Sequence, residues 1–475
     1  MSLCRKAALV WVALFVPFFY SAYAQKYHFY RNDGKHNVYS ITDLDSITFT
    51  NDTPAGAGHT HLYFANGAYF NVKNASLDSI TLSNQCVVAA LDITTAQLAP
   101  IVSKEEYISC SVLIDGKGMF PSGYKQGRIR GRGNSTWHWY PKKPYRIKLN
   151  TSSSMLGLKS NKDWVLLANY RDPTFLMNAF AFELADYLEM PFANNTRFCE
   201  VTLNGQYLGI YHLTEQVETG GNRVAIDEVN DVLLSLDVDD GGEPSSFRSN
   251  VYGMPVCIKS PDDELLTAEK KAAIQADFTV LENLIKGHTI TQVAARLDLR
   301  SLMNFLIIQE LTMNVELAAP RSMYMYRTAD RVWHFGPPWD FDAGFCFDWG
   351  QMYTGHNYFG NYNQMILGTN PADPGSGWGR VPGFFRDMFK NNYFVTEYKA
   401  YWNSIKGKLL PQTFAKLENY RHQIEEPMRR HYTLWNAADH NFNKRFDTEY
   451  PRLLQWLANR FQVMDQVINN YPVPN

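Results

Sequence analysis

Between Lys26 and Ser83 the chain runs in short segments where apolar and polar positions alternate, and the pattern repeats. Leu44-Asp45-Ser46-Ile47-Thr48-Phe49 returns as Leu77-Asp78-Ser79-Ile80-Thr81-Leu82, and Asp33-Gly34 returns as Asn66-Gly67, all at an offset of 33 residues. Asp-Gly and Asn-Gly favour tight hairpin turns because both central residues accept positive φ. The spacing therefore predicts two similar β-hairpin units, separated by the loop Pro54-Ala55-Gly56-Ala57-Gly58. Such a repeat suits a surface or docking module and equally a small packing appendage.

Strand patterning continues from Cys86 to Leu149. Ser111 to Asp115 reads as a strand entering a turn at Gly116, and Tyr145 to Leu149 alternates with Arg146 and Lys148 on one face. Asp172 to Leu188 reads as a helix, with Asp172 as its cap and Pro173 at the first helical position. Phe198 to Leu203, the turn Asn204-Gly205 and Tyr207 to Leu213 predict a hairpin ending at Thr214-Glu215-Gln216. Further helices are expected over Glu264 to Lys286 and Leu297 to Leu317, then a strand or hairpin from Tyr324 to Phe335.

Gln351 to Pro382 is rich in Gly, Asn, Tyr and Pro and too long for an ordinary connection. It reads as a substrate-facing loop or a mobile insert. Its aromatics, Tyr353, Tyr358, Phe359, Tyr362 and Trp378, suit either a peptide or glycan contact or packing of the loop on itself. From Phe384 the period is helical, with segments near Phe384 to Phe389, Val395 to Lys408, Pro411 to His431 and Asp447 to Asn469. Arg429-Arg430-His431 reads as a solvated helix end.

The first residues have a different logic. Arg5 and Lys6 precede an apolar run from Ala7 to Tyr20, and Ala22-Tyr23-Ala24 has the small-x-small form of a signal-peptidase site. Export is expected, to periplasm, cell surface or extracellular space, with Gln25 as the mature N-terminus. Cys4 lies upstream of the apolar run, where a lipoprotein cysteine would not sit, and no later stretch is apolar enough to span a bilayer. The remaining cysteines, Cys86, Cys110, Cys199, Cys257 and Cys346, lack the close spacings of zinc or redox sites and read mainly as buried small hydrophobes. His59 and His61 lack acidic company and make a poor metal pair.

Across 475 residues, 45% hydrophobic and 14% aromatic content is enough for a large core. A formal charge of -2 supplies no bulk attraction to nucleic acid or anionic membrane. Any charge-based function must be local. The sharpest local candidate is Pro338-Trp339-Asp340-Phe341-Asp342, where carboxylates at i and i+2 on extended backbone would share a side and grip one hard cation such as Mg²⁺. A second is Gly127-Arg128-Ile129-Arg130-Gly131-Arg132-Gly133-Asn134, in which glycines admit an anion to backbone amides and arginines add forked donors. Pairing of those arginines with buried acids is the competing interpretation.

Taken together, these blocks resemble the CotH-like (spore-coat) atypical protein kinases. The resemblance rests on Ile129 to Trp137 with Lys142-Lys143-Pro144-Tyr145-Arg146-Ile147-Lys148, on Trp164 to Asn169, on Leu203-Asn204-Gly205 through Tyr211, on Leu213 to Gln216, and on Pro338 to Asp342. It covers roughly Asp92 to Gln462, and the N-terminal repeat resembles modules on exported proteins of the Bacteroides group. The resemblance implies an α+β, divergent protein-kinase-like fold that binds ATP with Mg²⁺ and phosphorylates serine on an exported or surface protein. It implies metal carboxylates at Asp340 and Asp342, phosphate contacts from Arg130, Arg132 and Lys148, and Glu215 near the nucleotide or its lysine. The implied division is a signal peptide over 1–24, the hairpin repeat over 25–85, the kinase-like core over 86–383 and its helical C-terminal part over 384–475.

Two positions depart from the family's pattern. Glu316 stands where a catalytic aspartate is expected, and Ser322 where a metal-binding asparagine is expected. Glutamate moves the carboxylate by about the distance that can cost 10²-fold in rate. The alternative is therefore a catalytically degenerate scaffold for binding or assembly, in which Asp340 and Asp342 hold a structural Ca²⁺ or pair with Arg130 and Arg132. An Asp-x-Asp glycosyltransferase fits less well, because the chain does not open with alternating strands and helices.

Overall fold

The computed structural model describes residues 26–31, 36–50, 58–65, 67–83, 88–227, 229–240, 242–347, 358–435 and 445–475. The expected leader with Gln25, the turn Asp33-Gly34, Asn66, Cys86 and Tyr353 lie outside them. Among the described residues no helix is long and apolar enough to cross a membrane.

The 33-residue repeat is three strands long. Its first copy is β1 (Lys26–Arg31), β2 (His36–Ser40) and β3 (Leu44–Thr50); its second is β4 (His59–Phe64), β5 (Tyr69–Lys73) and β6 (Leu77–Ser83). The third strand of each copy pairs with the hairpin of the other, giving sheets ordered β2-β1-β6 and β3-β4-β5. Phe29, Tyr39, Leu62 and Phe64 close the small core between them. His61, on β4, is engaged by Thr50, Tyr69 and Asn71.

Seven strands then close into a barrel. They are β7 (Ala89–Thr95), β8 (Ile108–Asp115), β9 (Gly123–Gly131), β10 (Tyr145–Ser153), β11 (Asn161–Leu167), β12 (Arg197–Leu203) and β13 (Gln206–Glu215), ordered β10-β11-β13-β12-β7-β8-β9. Alternate residues such as Leu91, Ile93, Val112, Ile114, Ile129, Ile147 and Leu213 fill the interior. The predicted turn Asn204-Gly205 joins β12 to β13 with both residues at positive φ, 51° and 80°. Between β9 and β10 lies α1 (Ser135–Trp139), and between β11 and β12 lies α2 (Met177–Tyr187), buried along nearly all its length. α2 begins later than its sequence suggests. Phe175 turns the chain at φ 65°, yet Asp172 still caps the helix by accepting from the Met177 amide at 2.7 Å.

A second sheet is ordered β15-β16-β14-β17-β18. Its strands are β14 (Val232–Leu236), β15 (Ser246–Arg248), β16 (Pro255–Ser260), β17 (Met323–Arg327) and β18 (Trp333–Phe335). α3 (Ala268–Lys286), α4 (Ile290–Ala294), α5 (Leu299–Leu311) and α6 (Gly383–Arg386) pack with it into the largest core. The helix expected to reach Leu317 stops at Leu311, because Met313 adopts φ 48° before a 3₁₀ turn over Val315–Ala318.

Two long helices complete the molecule, α7 (Asn392–Trp435) and α8 (Phe446–Asn469). The interruption expected before Pro411 is absent: α7 continues through Pro411 and Pro427. An interior proline costs a helix about 3 kcal/mol. Trp402, Leu409, Ile424 and Met428, buried along the same helix, offset it.

In the described part of the 351–382 segment Phe359, Met365, Ile366, Leu367 and Val381 join the largest core, while Asn361, Asn363 and residues 373–375 are exposed. Tyr358 is buried, and the Arg386 guanidinium donates to the carbonyls of Pro371, Asp373, Ser376 and Trp378 at 2.8–3.0 Å. Arg429 and Arg430 are ion-paired to Glu425, Glu426 and Glu200, while His431 is buried. The described cysteines are free, and Cys110, Cys199 and Cys257 are buried.

Candidate functional site

A cleft of about 750 Å³ opens between one end of the barrel and the second sheet. Arg130, Arg132 and Arg146 line its barrel wall; Asp237, Glu316, Ser322, Asp340 and Asp342 line the wall opposite. The sequence therefore marked six residues that fold into one place: Arg130, Arg132, Glu316, Ser322, Asp340 and Asp342.

The barrel wall follows from strand register. Arg130 on β9 sits opposite Arg146 on β10, a like-charge pairing that demands separate acceptors. Arg146 donates from Nε and Nη2 to Asp163 Oδ1 at 2.9 and 2.6 Å. Arg130 donates to the Lys104 carbonyl, lies 3.5 Å from the Glu105 carboxylate, and stacks over the Tyr107 ring at 4.8 Å. The expectation of pairing with Asp340 or Asp342 does not hold for Arg130. Arg132 does face them: its guanidinium rests 5.4 Å from the Trp339 ring centre, burial pushes its pKa down, and Asp340 pulls it back up.

Gly131 has a structural use, since a Cβ there would fall 2.3 Å from the Trp137 ring. The amides of Gly131 and Arg132 donate to the carbonyls of Ser103 and Pro144 at 2.9 and 3.2 Å, so they are not directed at a bound anion. This removes the amides of Gly131 and Arg132 from the anion-site expectation and leaves its guanidinium part.

Lys148 and Glu215 are not among the residues lining the cleft. Lys148 shares a face with Arg146 but sits two residues farther along β10, about 6.6 Å away, where its Nζ is 3.6 Å from Asp163 Oδ2. Glu215 is buried at the end of β13 and accepts from the Asn195 amide and side chain, each at 2.8 Å. Its neighbour Gln216 reaches the cleft instead.

The opposite wall is built by anchoring alternate residues. Phe341 is fully buried and its amide donates to Asn178 of α2 at 2.9 Å, which leaves Asp340 and Asp342 on the cleft side. The extended backbone expected there is broken, because Asp340 adopts φ 64°. Burial, and then the adjacent Asp342 carboxylate, push the Asp340 pKa up. Arg171, only 2% exposed, holds Asp342 from behind: Nη1 is 3.5 Å from its carboxylate and Nη2 donates to its backbone carbonyl at 3.0 Å. The Arg171 guanidinium lies 3.9 Å from the centre of the Phe347 ring.

Glu316 projects from the 3₁₀ turn after α5, whose start Asn314 caps by accepting from the Glu316 amide at 3.2 Å. Glu316 is buried and its Oε2 has no hydrogen-bond partner. Burial above all, then Asp340 and Asp342, hold its carboxyl well above the usual range. Ser322, at φ 52°, donates its amide to Asp237 at 3.0 Å and its hydroxyl to Asp340 at 3.4 Å.

These are hard oxygen donors, which fit Mg²⁺ better than a soft metal. Among the described residues, tighter sets of three possible ligands occur at Asp43, Glu418 and His422 and at Asp240, Glu243 and Cys257. Arg421 and Lys259 already place a cation against those sets. Sequence reasoning passed over Arg171, Asp237 and Lys259. The available signals were Arg171 just after the Trp164 to Asn169 block, and the acidic run Asp237 to Asp240 after an apolar strand.

No curated protein matches this chain. A family model described as CotH kinase protein matches residues 129–464, more than half of its length.

Proposed function

This chain belongs to the CotH kinase protein family, and from that premise we propose that it is an Mg·ATP-dependent protein kinase acting on serine of an exported or surface protein. The observation that carries this reading is the meeting of an arginine-lined wall and a carboxylate-lined wall across one cleft. On this reading the barrel and the second sheet act as the two lobes of a divergent kinase-like fold.

Asp340 and Asp342 are the residues to hold Mg²⁺, with Ser322 beside them. When bound, the ion neutralises charge on the phosphate oxygens. Arg132 and Arg130 orient those phosphates, and Arg146, at the cleft edge, serves better than Lys148. Glu316 takes the proton from the attacking serine hydroxyl at its unpartnered Oε2; burial makes it a stronger base once ionised. Desolvated donors fixed before substrate arrives stabilise charge with little reorganisation. The apolar leader supports export.

Calorimetric titration with ATP, with and without Mg²⁺ and with Asp342→Ala as comparison, tests this. Affinity that requires both Mg²⁺ and Asp342 is expected. Glu316→Gln should keep that affinity and lose phosphate transfer to serine. The alternative scaffold reading draws on the Arg171–Asp342 pair, which gives Asp342 a structural partner. Absence of ATP binding at millimolar concentration would select it.

A further inference from the structure

Tyr358, one of the aromatics of the 351–382 segment, is fully buried, so it presents no face to a peptide or glycan. Its ring stacks on Phe347 with centroids 6.0 Å apart, and Phe347 in turn covers the Arg171 guanidinium at 3.9 Å. At its far end the Tyr358 hydroxyl donates to the Asp342 carbonyl at 2.8 Å. That carbonyl also accepts from Arg171 Nη2 at 3.0 Å, and Arg171 and the Tyr358 hydroxyl are hydrogen-bonded to each other. One donor would satisfy a buried carbonyl; a second restricts the direction in which it points.

The chain around Asp342 needs such a hold. It belongs to no strand, and Asp340, Phe345 and Cys346 adopt φ of 64°, 56° and 68°, so no sheet ladder orients the Asp342 peptide. Tyr358 is itself anchored at its backbone. Arg452 of α8 donates to the Tyr358 carbonyl at 3.0 Å and pairs with Glu449 at 2.8 Å, and the next amide, of Phe359, donates to the Phe345 carbonyl at 3.0 Å. The hydroxyl that reaches Asp342 is therefore carried by a fixed main chain.

We propose that Tyr358 is a positioning residue of the Mg·ATP site: its hydroxyl fixes the Asp342 peptide, which aims the Asp342 carboxylate into the cleft, and Arg452 ties that hold to α8. The inference rests on the kinase reading of the cleft and adds to it a residue that touches neither metal nor nucleotide. Groups that orient a metal carboxylate from behind cost about 10- to 100-fold in affinity when they are lost. Tyr358→Phe removes the hydroxyl alone. The ring contacts with Phe347 and Phe359 remain, and the Asp342 carbonyl keeps its bond from Arg171, so the variant deletes direction without leaving a buried acceptor unpaired.

The test is calorimetric titration of the full chain with Mg·ATP, alongside hydrogen–deuterium exchange of the metal-free protein. Tyr358→Phe should weaken Mg·ATP binding by about tenfold. In the same variant the amides of Phe341, Gly344 and Phe345, which donate to Asn178, Phe341 and Thr312, should exchange several-fold faster. Tyr211→Phe is the comparison. It removes another buried hydroxyl bonded to a backbone carbonyl, that of Lys143 at 3.0 Å, and should leave both readouts within about twofold of wild type. Both variants should lower the thermal midpoint by a similar few degrees, so stability alone does not separate them. Tyr358→Phe binding within about threefold of wild type, while Asp342→Ala does not bind, overturns the positioning role and leaves the cleft reading intact. Weakened binding without faster exchange at those amides overturns it as well, as does equal weakening by Tyr211→Phe. Wild-type protein that binds no Mg·ATP at millimolar concentration overturns both.

Discussion

On the barrel side of the cleft the arginines are held by their own surroundings: Arg146 by Asp163, Arg130 by the Lys104 carbonyl and the Tyr107 ring, Arg132 by the face of Trp339. On the opposite side Asp237, Glu316 and Asp340 line the same cleft without a direct ion pair to a described residue, and Arg132, Arg171 and Arg321 act on Asp340 and Glu316 only from farther away. Each arginine of the first wall has a close partner of its own; on the second, Asp342, Asp240 and Asp239 have ion-pair partners whereas Asp237, Glu316 and Asp340 have none among the described residues. The difference locates the cost of preorganisation in the second sheet's end, where Ser322 and Asp340 also adopt left-handed backbone.

The largest expected effect comes from breaking an ion pair on the acidic side. Arg171→Met removes a nearly fully buried cation from Asp342 and should lower stability by about 3–5 kcal/mol, measured by urea unfolding. A loss below about 1 kcal/mol would show that Asp342 is solvated and that the two walls differ less than their burial indicates.

A smaller effect separates the walls by pH. Glu316 has a folded-state pKa raised above its unfolded value, so the folded protein binds the extra proton and loses stability as pH rises from the ordinary carboxylate range. Glu316→Gln should raise the thermal midpoint of metal-free protein at about pH 8 by a few degrees, with little change at about pH 4. Saturating Mg²⁺ should shrink that gain. A gain that is the same at both pH values would remove the charge explanation.

The smallest effects compare two cations of the barrel. Arg132→Met should weaken Mg·ATP binding by about tenfold, roughly 1.4 kcal/mol, because its guanidinium faces the carboxylates directly. Lys148→Met should change affinity less than about twofold and stability by less than about 1 kcal/mol, since its side chain is 36% exposed and its ion pair, to Asp163, is long at 3.6 Å. Reversal of that order would return the phosphate role to Lys148.

Much of this arrangement is legible in local pattern. The alternation around Arg146 and Lys148, the Asn204-Gly205 turn, the cap at Asp172 and the repeat at 33 residues all express short-range rules of period and φ preference. The pair Asp340 and Asp342 was visible as chemistry, although the extended backbone expected of it was not what formed. The helix break expected at Pro411 failed for a tertiary reason: buried contacts along α7 outweigh a local penalty.

By itself the sequence determined which segments are strands or helices, that acidic and basic clusters exist, and that residues 129–464 carry a CotH kinase family signature. Only tertiary structure decided that the third strand of each N-terminal repeat would pair with the other copy, that Lys148 and Glu215 would stand outside the cleft, and that Arg171 and Asp237 would enter it. Strand exchange, barrel closure and the β14–β17 register join residues far apart in the chain. Local propensity covers only a few neighbours, so the partner each charge meets is set by packing.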